Sequence, residues 1–233
     1  MYALRHRRRP RHQMRSRHPF GKLAATLLLL WLLPGTAGAT ADCRIVVFGD
    51  SLVAGYGLAP EEAFPARLDE ALDAAGYAYC EVVNAGVSGD TTAGGRARID
   101  WVLADRPTHL LLELGANDAL RALPVPQMRA NLAAIIERAR SAGTAVLLAG
   151  MLAPPNLGEA YGRAFAAVYR ELARRYGIPL DPFFLEGVAG DPRYLQADGL
   201  HPNAAGVEVM VGRILPTVLA WLEATGRRPR PGG

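Results

Sequence analysis

Five short apolar runs, at about residues 44–49, 81–85, 109–115, 144–150 and 178–181, alternate with longer stretches of helical period at about 62–75, 92–105, 125–142, 158–176 and 203–224. The runs are β-branched or leucine-rich, as in strands buried on both faces, and an amphipathic stretch separates each from the next. This order predicts βαβ units around a parallel sheet. Leu68, Leu72 and Ala75 form a stripe closed by Gly76, and Met128, Leu132, Ile135, Ile136 and Ala139 recur before Gly143. Phe165, Val168, Tyr169 and Leu172 do the same before Gly177. These are core positions. Val207, Met210, Val211, Ile214, Val218 and Trp221 mark the last helix, in which Pro216 predicts a kink.

What precedes the first run is of a different kind. Residues 1–22 hold eight basic residues and no acid, followed by the apolar run Leu23–Leu33, Pro34-Gly35 and the small-residue sites Ala37-Gly38-Ala39 and Ala39-Thr40-Ala41. This is the order of a secretory signal peptide, and the apolar run is shorter than the roughly 20 residues a spanning helix needs. Residues 1–41 therefore read as a removed leader, with Met14 as a second possible start, and the product as periplasmic or secreted. Asp42 before Cys43 argues against lipid attachment to that cysteine, so no membrane anchor is expected after cleavage.

The leader also distorts the charge. It supplies 8 of the 26 basic residues, so the remainder carries 18 against 22 acids, about −4 net. Nucleic-acid binding thus loses its main support. About 190 residues, half of the chain apolar, suit one domain and a monomer: 42–226, followed by a flexible tail at 227–233 whose arginines read as solvated.

Four strand-end or loop motifs stand out. The run Ile45-Val46-Val47-Phe48 breaks at Gly49-Asp50-Ser51, placing a serine at the carboxyl edge of the sheet, where open α/β folds bind ligands. Ser51 is a candidate nucleophile there, and a turn former or helix cap is the alternative. Val82-Val83-Asn84-Ala85-Gly86 leads to Val87-Ser88-Gly89-Asp90-Thr91. A glycine turn into a helix either offers backbone N–H groups to a negative charge or merely permits positive φ. Leu110-Leu111-Leu112-Glu113-Leu114 ends in Gly115-Ala116-Asn117-Asp118, where Asn117 either donates its amide or caps a helix. Glu113 is anomalous in that apolar run and points to a partner or to the rim. In Asp198-Gly199-Leu200-His201-Pro202-Asn203, His201 is the candidate base by elimination, because three of the five histidines fall in the leader and His109 opens the third strand at its far end. Asp198 can fold back to hold the ring through Nδ1; a capping aspartate with a surface histidine is the alternative.

Taken together and in order, these four blocks resemble those of the SGNH (GDSL) hydrolase superfamily over about residues 44–222, and within it the bacterial periplasmic thioesterase I, lysophospholipase and arylesterase group. The departure is Ala116, where a second glycine is common. The resemblance implies a three-layer α/β/α sandwich, a flavodoxin-like five-stranded parallel sheet of order 2-1-3-4-5. It also implies a serine acyl hydrolase without metal or cofactor. Ser51, His201 and Asp198 would be nucleophile, base and orienting acid. The backbone N–H groups of Ser51 and Gly89 and the Asn117 amide would meet the oxyanion. The order Ser, Asp, His is also that of α/β-hydrolases, but their G-x-S-x-G elbow is absent.

Leu120, Met151, Pro154, Phe184 and Leu195 fall in loops expected at the same edge, where they form an apolar acyl groove or only lid packing. A groove of that kind favours a medium or long acyl chain or an aryl ester over a hydroxylated sugar. Cys43 lies six residues before Gly49 and Cys80 six before Gly86, so in neighbouring strands a disulfide is feasible, with two unpaired thiols as the alternative. Three functions stay open: a small-molecule ester and thioester hydrolase, including lysophospholipids; a carbohydrate O-acetylesterase on the same fold; and a non-catalytic acyl- or lipid-binding protein.

Overall fold

The computed structural model of the chain describes residues 43–230, so the leader read at 1–41 and the last three residues lie outside the described residues. β1 (Cys43–Gly49) pairs in parallel with β2 (Cys80–Gly86) on one side and β3 (His109–Glu113) on the other; β4 (Ala145–Ala149) and β5 (Leu180–Asp181) complete the order 2-1-3-4-5. β1 and β3 are central and buried almost throughout, which is why their sequences show no polar alternation. β5 is two residues long: Pro179 before it has no N–H to give to a ladder, although its carbonyl still accepts from Leu148 at 3.0 Å.

Helices cover both faces. α2 (Phe64–Ala74) packs with α7 (Ala204–Ala224), while α3 (Thr92–Ala104), α5 (Val125–Ser141) and α6 (Glu159–Tyr176) pack in a row. Their buried residues are those of the sequence stripes, among them Leu68, Leu132, Ile135, Phe165, Leu172, Met210 and Ile214, all fully covered. α7 continues as one helix through Pro216. His109 is buried between Thr108 Oγ1, 2.7 Å from Nδ1, and Thr225 Oγ1, 2.8 Å from Nε2. Burial and the nearby Arg227 charge lower its pKa to about 4, so it is a neutral structural histidine.

Two short helices were not expected. α1 (Ser51–Ala54) follows β1 after the single residue Asp50, and α4 (Ala116–Leu120) follows β3 after Leu114 and Gly115. Of the residues read as a tail, Arg228 and Arg230 contact the rest of the domain. Arg230 N–H donates to the Gly76 carbonyl at 2.7 Å, Tyr79 exchanges hydrogen bonds with the Arg228 backbone, and the Arg230 guanidinium lies 3.7 Å from the Tyr79 ring centroid. The aromatic ring gives residues 227–230 a docking face that composition alone does not disclose.

The β1–β2 register puts Cys43 opposite Cys80, and the two are bridged with Cα atoms 4.4 Å apart. The residues are separated by 37 positions, a loop whose closure stabilises by about 4 kcal/mol on the chain-entropy account. Urea unfolding of a Cys43→Ser/Cys80→Ser variant is expected to show that loss; an unchanged midpoint would contradict it.

Candidate active site

The level register also brings the carboxyl ends of β1, β2 and β3 together, with Gly49 opposite Gly86 and Phe48 opposite Leu112. Three chain segments leave the sheet there, and each carries one candidate group. At the first, Asp50 caps α1 by accepting from the Leu52 N–H at 3.0 Å, so Ser51 is the first residue of that helix and the cap is its neighbour. The Ser51 N–H therefore has no acceptor within its own helix, and it stands at the helix's positive end. Gly55, at φ +77, ends the helix after one turn.

The second segment holds Gly89, at φ +81, a value an L side chain rarely adopts. Its carbonyl accepts from Arg121 Nη2 at 2.9 Å. Arg98 fixes this loop to β1: Nε donates to Asp90 Oδ2 at 2.7 Å, and the two terminal nitrogens donate to the Ala85 and Gly49 carbonyls at 2.9 Å each. The same guanidinium lies 4.0 Å from the Phe48 ring centroid. One side chain thus sets the spacing between the serine and the glycine. At the third segment, Asn117 on α4 donates from Nδ2 to Asp50 Oδ2 at 3.0 Å, which leaves its second amide hydrogen uncommitted to that contact. The buried Asp118 carboxylate accepts from the Thr92 N–H and hydroxyl at 2.8 and 2.6 Å, tying α4 to the start of α3.

The histidine arrives from across the sheet edge. Asp198 Oδ1 accepts from the backbone N–H groups of Leu200 and His201 at 2.9 and 3.0 Å, an Asx turn, and Oδ2 lies 2.6 Å from His201 Nδ1. Nε2 lies 2.9 Å from Ser51 Oγ. The N–H groups of His201 and Leu200, then the imidazole itself, hold Asp198 down at about 2. Gln196 pins the loop by donating to the Tyr56 carbonyl at 2.7 Å and the Pro202 carbonyl at 2.9 Å, while Asn203 caps α7. Tyr56 also packs tilted on the imidazole, ring centroids 4.6 Å apart. Arg213 on α7 grips both oxygens of the Asp181 carboxylate at the end of β5, at 2.5 and 2.7 Å, anchoring the base of the segment that carries the loop.

Behind these groups, Asp50 and Glu113 are both fully buried. Burial, opposed by the Leu52 N–H and the Asn117 amide, raises Asp50 to about 6. Burial and the Asp50 charge raise Glu113 well above the usual carboxylate range. Glu113 is therefore not at the rim; its partner is Asp50, whose N–H meets Oε2 at 3.3 Å.

A cavity of about 270 Å³ opens at this point, lined by Ser51, Gly89, Asn117 and His201 on one side and by apolar side chains on the other. Of the expected groove residues, Leu120, Met151 and Pro154 line it. Two do not. Phe184 is fully buried against Phe64, centroids 4.8 Å apart, because the chain after β5 turns inward rather than over the edge. Leu195 is half-buried and makes a β-bridge with Pro202, supporting the histidine loop from outside the cavity. Tyr56, Leu152, Leu185 and Leu200 also line it. Tyr56, Leu120, Leu152 and Leu200 are each about half exposed, which leaves the mouth apolar. Among the described residues no cluster of His, Cys, Asp and Glu suits a metal ion.

The GDSL-like lipase/acylhydrolase family matches residues 47–209. The chain is 41% identical over 197 residues to "Esterase TesA" of Pseudomonas aeruginosa, covering 84% of this chain and 96% of that protein. It is 38% identical over 178 residues to "Thioesterase 1/protease 1/lysophospholipase L1" of Escherichia coli K12, covering 76% and 84% respectively. A crystal structure of TesA superposes with a TM-score of 0.74 at 42% identity, covering 77% of this chain and 99% of that one.

Proposed function

This chain belongs to the GDSL-like lipase/acylhydrolase family, and from that premise we propose that it cleaves carboxylic esters and thioesters of apolar acyl groups through an acyl-enzyme on Ser51. The observation that carries the reading is the hydrogen-bonded line Ser51 Oγ, His201 Nε2, His201 Nδ1, Asp198 Oδ2, with steps of 2.9 and 2.6 Å, at the mouth of an apolar cavity. Ser51 Oγ attacks the acyl carbonyl as His201 Nε2 takes its proton; Asp198 holds the tautomer and stabilises the imidazolium. The backbone N–H groups of Ser51 and Gly89 and the free amide hydrogen of Asn117 stabilise the oxyanion. His201 then gives the proton to the departing alcohol or thiol, and water, activated by the same imidazole, releases the acid.

The cavity wall favours an alkyl or aryl acyl group over a sugar, whose hydroxyls would find few partners among Leu120, Met151, Leu152, Pro154 and Leu185. Export is part of the proposal. It is supported by the basic-then-apolar order of residues 1–41 and by the Cys43–Cys80 bridge, a bond that persists in oxidising compartments.

Initial rates on p-nitrophenyl esters from acetate to palmitate, beside a palmitoyl thioester and an acetylated sugar, test the substrate class. The proposal expects kcat/KM to rise from acetate to medium chains by about 10-fold per one or two methylenes until the cavity is filled. Turnover confined to acetyl groups would move the reading to an O-acetylesterase. Chain binding without turnover would leave an acyl-binding protein.

A further inference from the structure

We propose that Glu113 is a positioning residue: a buried, protonated carboxylic acid behind the nucleophile that donates its proton to Asp50 and, through Asp50, fixes the Asn117 amide at the oxyanion site. The inference rests on the reading of Asn117 as an oxyanion donor. Its starting point is an anomaly. Glu113 is fully buried at the end of a leucine strand, Oε2 lies against the Asp50 N–H, and Oε1 has no hydrogen-bond partner. Among the described residues no arginine or histidine forms an ion pair with it. A carboxylate with one bare oxygen and no cation, sealed from water, is the form least suited to this place; the neutral acid suits it.

Asp50 offers the complementary environment. Its Oδ1 accepts from the Leu52 N–H and its Oδ2 from Asn117, both at 3.0 Å, so every neighbour is a donor, as an ionised carboxylate requires. One proton shared between the two carboxyls therefore resides on Glu113 and points at Asp50. Burial and the Asp50 charge hold Glu113 well above the usual carboxylate range, whereas the Leu52 N–H and the Asn117 amide oppose the rise that burial causes at Asp50. The other ionisable groups acting on the pair are His201, from the loop before α7, on Asp50, and Tyr169 on α6, whose hydroxyl donates to the Leu114 carbonyl at 2.9 Å. Close approach is made possible by Gly49: a Cβ there would lie 2.6 Å from Glu113 Oε2. The consequence reaches the chemistry in two steps. An ionised Asp50 commits one Asn117 hydrogen, and the planar amide then aims the other into the cavity that Asn117 lines.

The test compares Glu113→Gln, Glu113→Met, Asn117→Ala, Glu113→Met/Asn117→Ala and Ser51→Ala in kcat, KM and thermal midpoint on one p-nitrophenyl ester. Glutamine keeps a neutral donor toward Asp50 and is expected within about threefold of wild-type kcat. Methionine fills the space without donating and is expected to lower kcat by about 10–10²-fold at unchanged KM. The double variant is expected to be no slower than Asn117→Ala alone, because both changes remove the same donor. Glutamine as damaging as methionine, or multiplying effects of Glu113→Met and Asn117→Ala, would overturn the inference. Should Glu113→Met not fold, infrared difference spectra of wild type minus Glu113→Gln at pH 7 decide: a carboxylic-acid carbonyl band is expected, and a carboxylate band alone overturns it. Ser51→Ala separates the two levels. Full activity there defeats the parent reading, whereas an inactive Ser51→Ala beside an unimpaired Glu113→Met defeats only this one.

Discussion

Ser51→Ala is expected to lower kcat on a p-nitrophenyl ester by about 10⁶-fold, and His201→Ala by about as much. The two losses are not independent. Oγ is a poor nucleophile unless Nε2, 2.9 Å away, removes its proton, and Nε2 has no proton to remove without Oγ. The double variant should therefore be no slower than either single one, with a residual acceleration of about 10³–10⁴ over water left to the oxyanion donors and to binding. KM should change little, because neither side chain belongs to the apolar wall. Thermal midpoints should also stay close, since Ser51 and His201 are partly exposed and removing them opens no core cavity. A His201→Ala variant retaining a tenth of the activity would assign the base elsewhere.

Asp198→Asn is expected to cost about 10⁴-fold in kcat. The substitution is informative because the loop can survive it. Oδ1 of the new side chain can still accept from the Leu200 and His201 N–H groups, as Asp198 Oδ1 does. What changes is the second position, where the oxygen facing Nδ1 at 2.6 Å becomes an amide that donates. That donation forces the ring proton onto Nε2, where it faces Ser51 and blocks acceptance. The effect should be present across the working pH range, because Asp198, held at about 2, is ionised throughout it. Asp198→Ala would remove the Asx turn as well, so a larger loss of stability accompanies it. A loss below tenfold for asparagine would mean that Asp198 shapes the loop and does not govern the tautomer.

The sheet was legible because β1, β3 and β4 are buried on both faces and each holds an unbroken apolar run, Ile45–Phe48, Leu110–Leu112 and Ala145–Ala149. The helices were legible from stripes that match the buried residues closely. α1 and α4 were not, since four or five residues cannot show a 3.6-residue period. The sites at the strand ends were readable as motifs, yet motifs show only side chains that project at fixed spacing. Arg98, which binds carbonyls of two strands, was invisible because backbone acceptors leave no trace in sequence. Asp50 and Glu113 were in plain view, and Glu113 was conspicuous. Their pairing depends on the β1–β3 register, which no local pattern specifies. Phe184 failed as a groove residue for a related reason: an apolar residue after a strand can turn outward to a ligand or inward to Phe64, and composition does not distinguish the two.

The central claim is that Ser51 is the nucleophile, and covalent trapping tests it most directly. Treating the protein with a p-nitrophenyl alkylphosphonate and mapping the adduct by peptide mass spectrometry should find one equivalent of phosphonate on Ser51, formed as activity is lost and absent from the heat-unfolded protein. Ser88 also lines the cavity and serves as the internal control. An adduct on Ser88, or complete inactivation with Ser51 unmodified, would contradict the account.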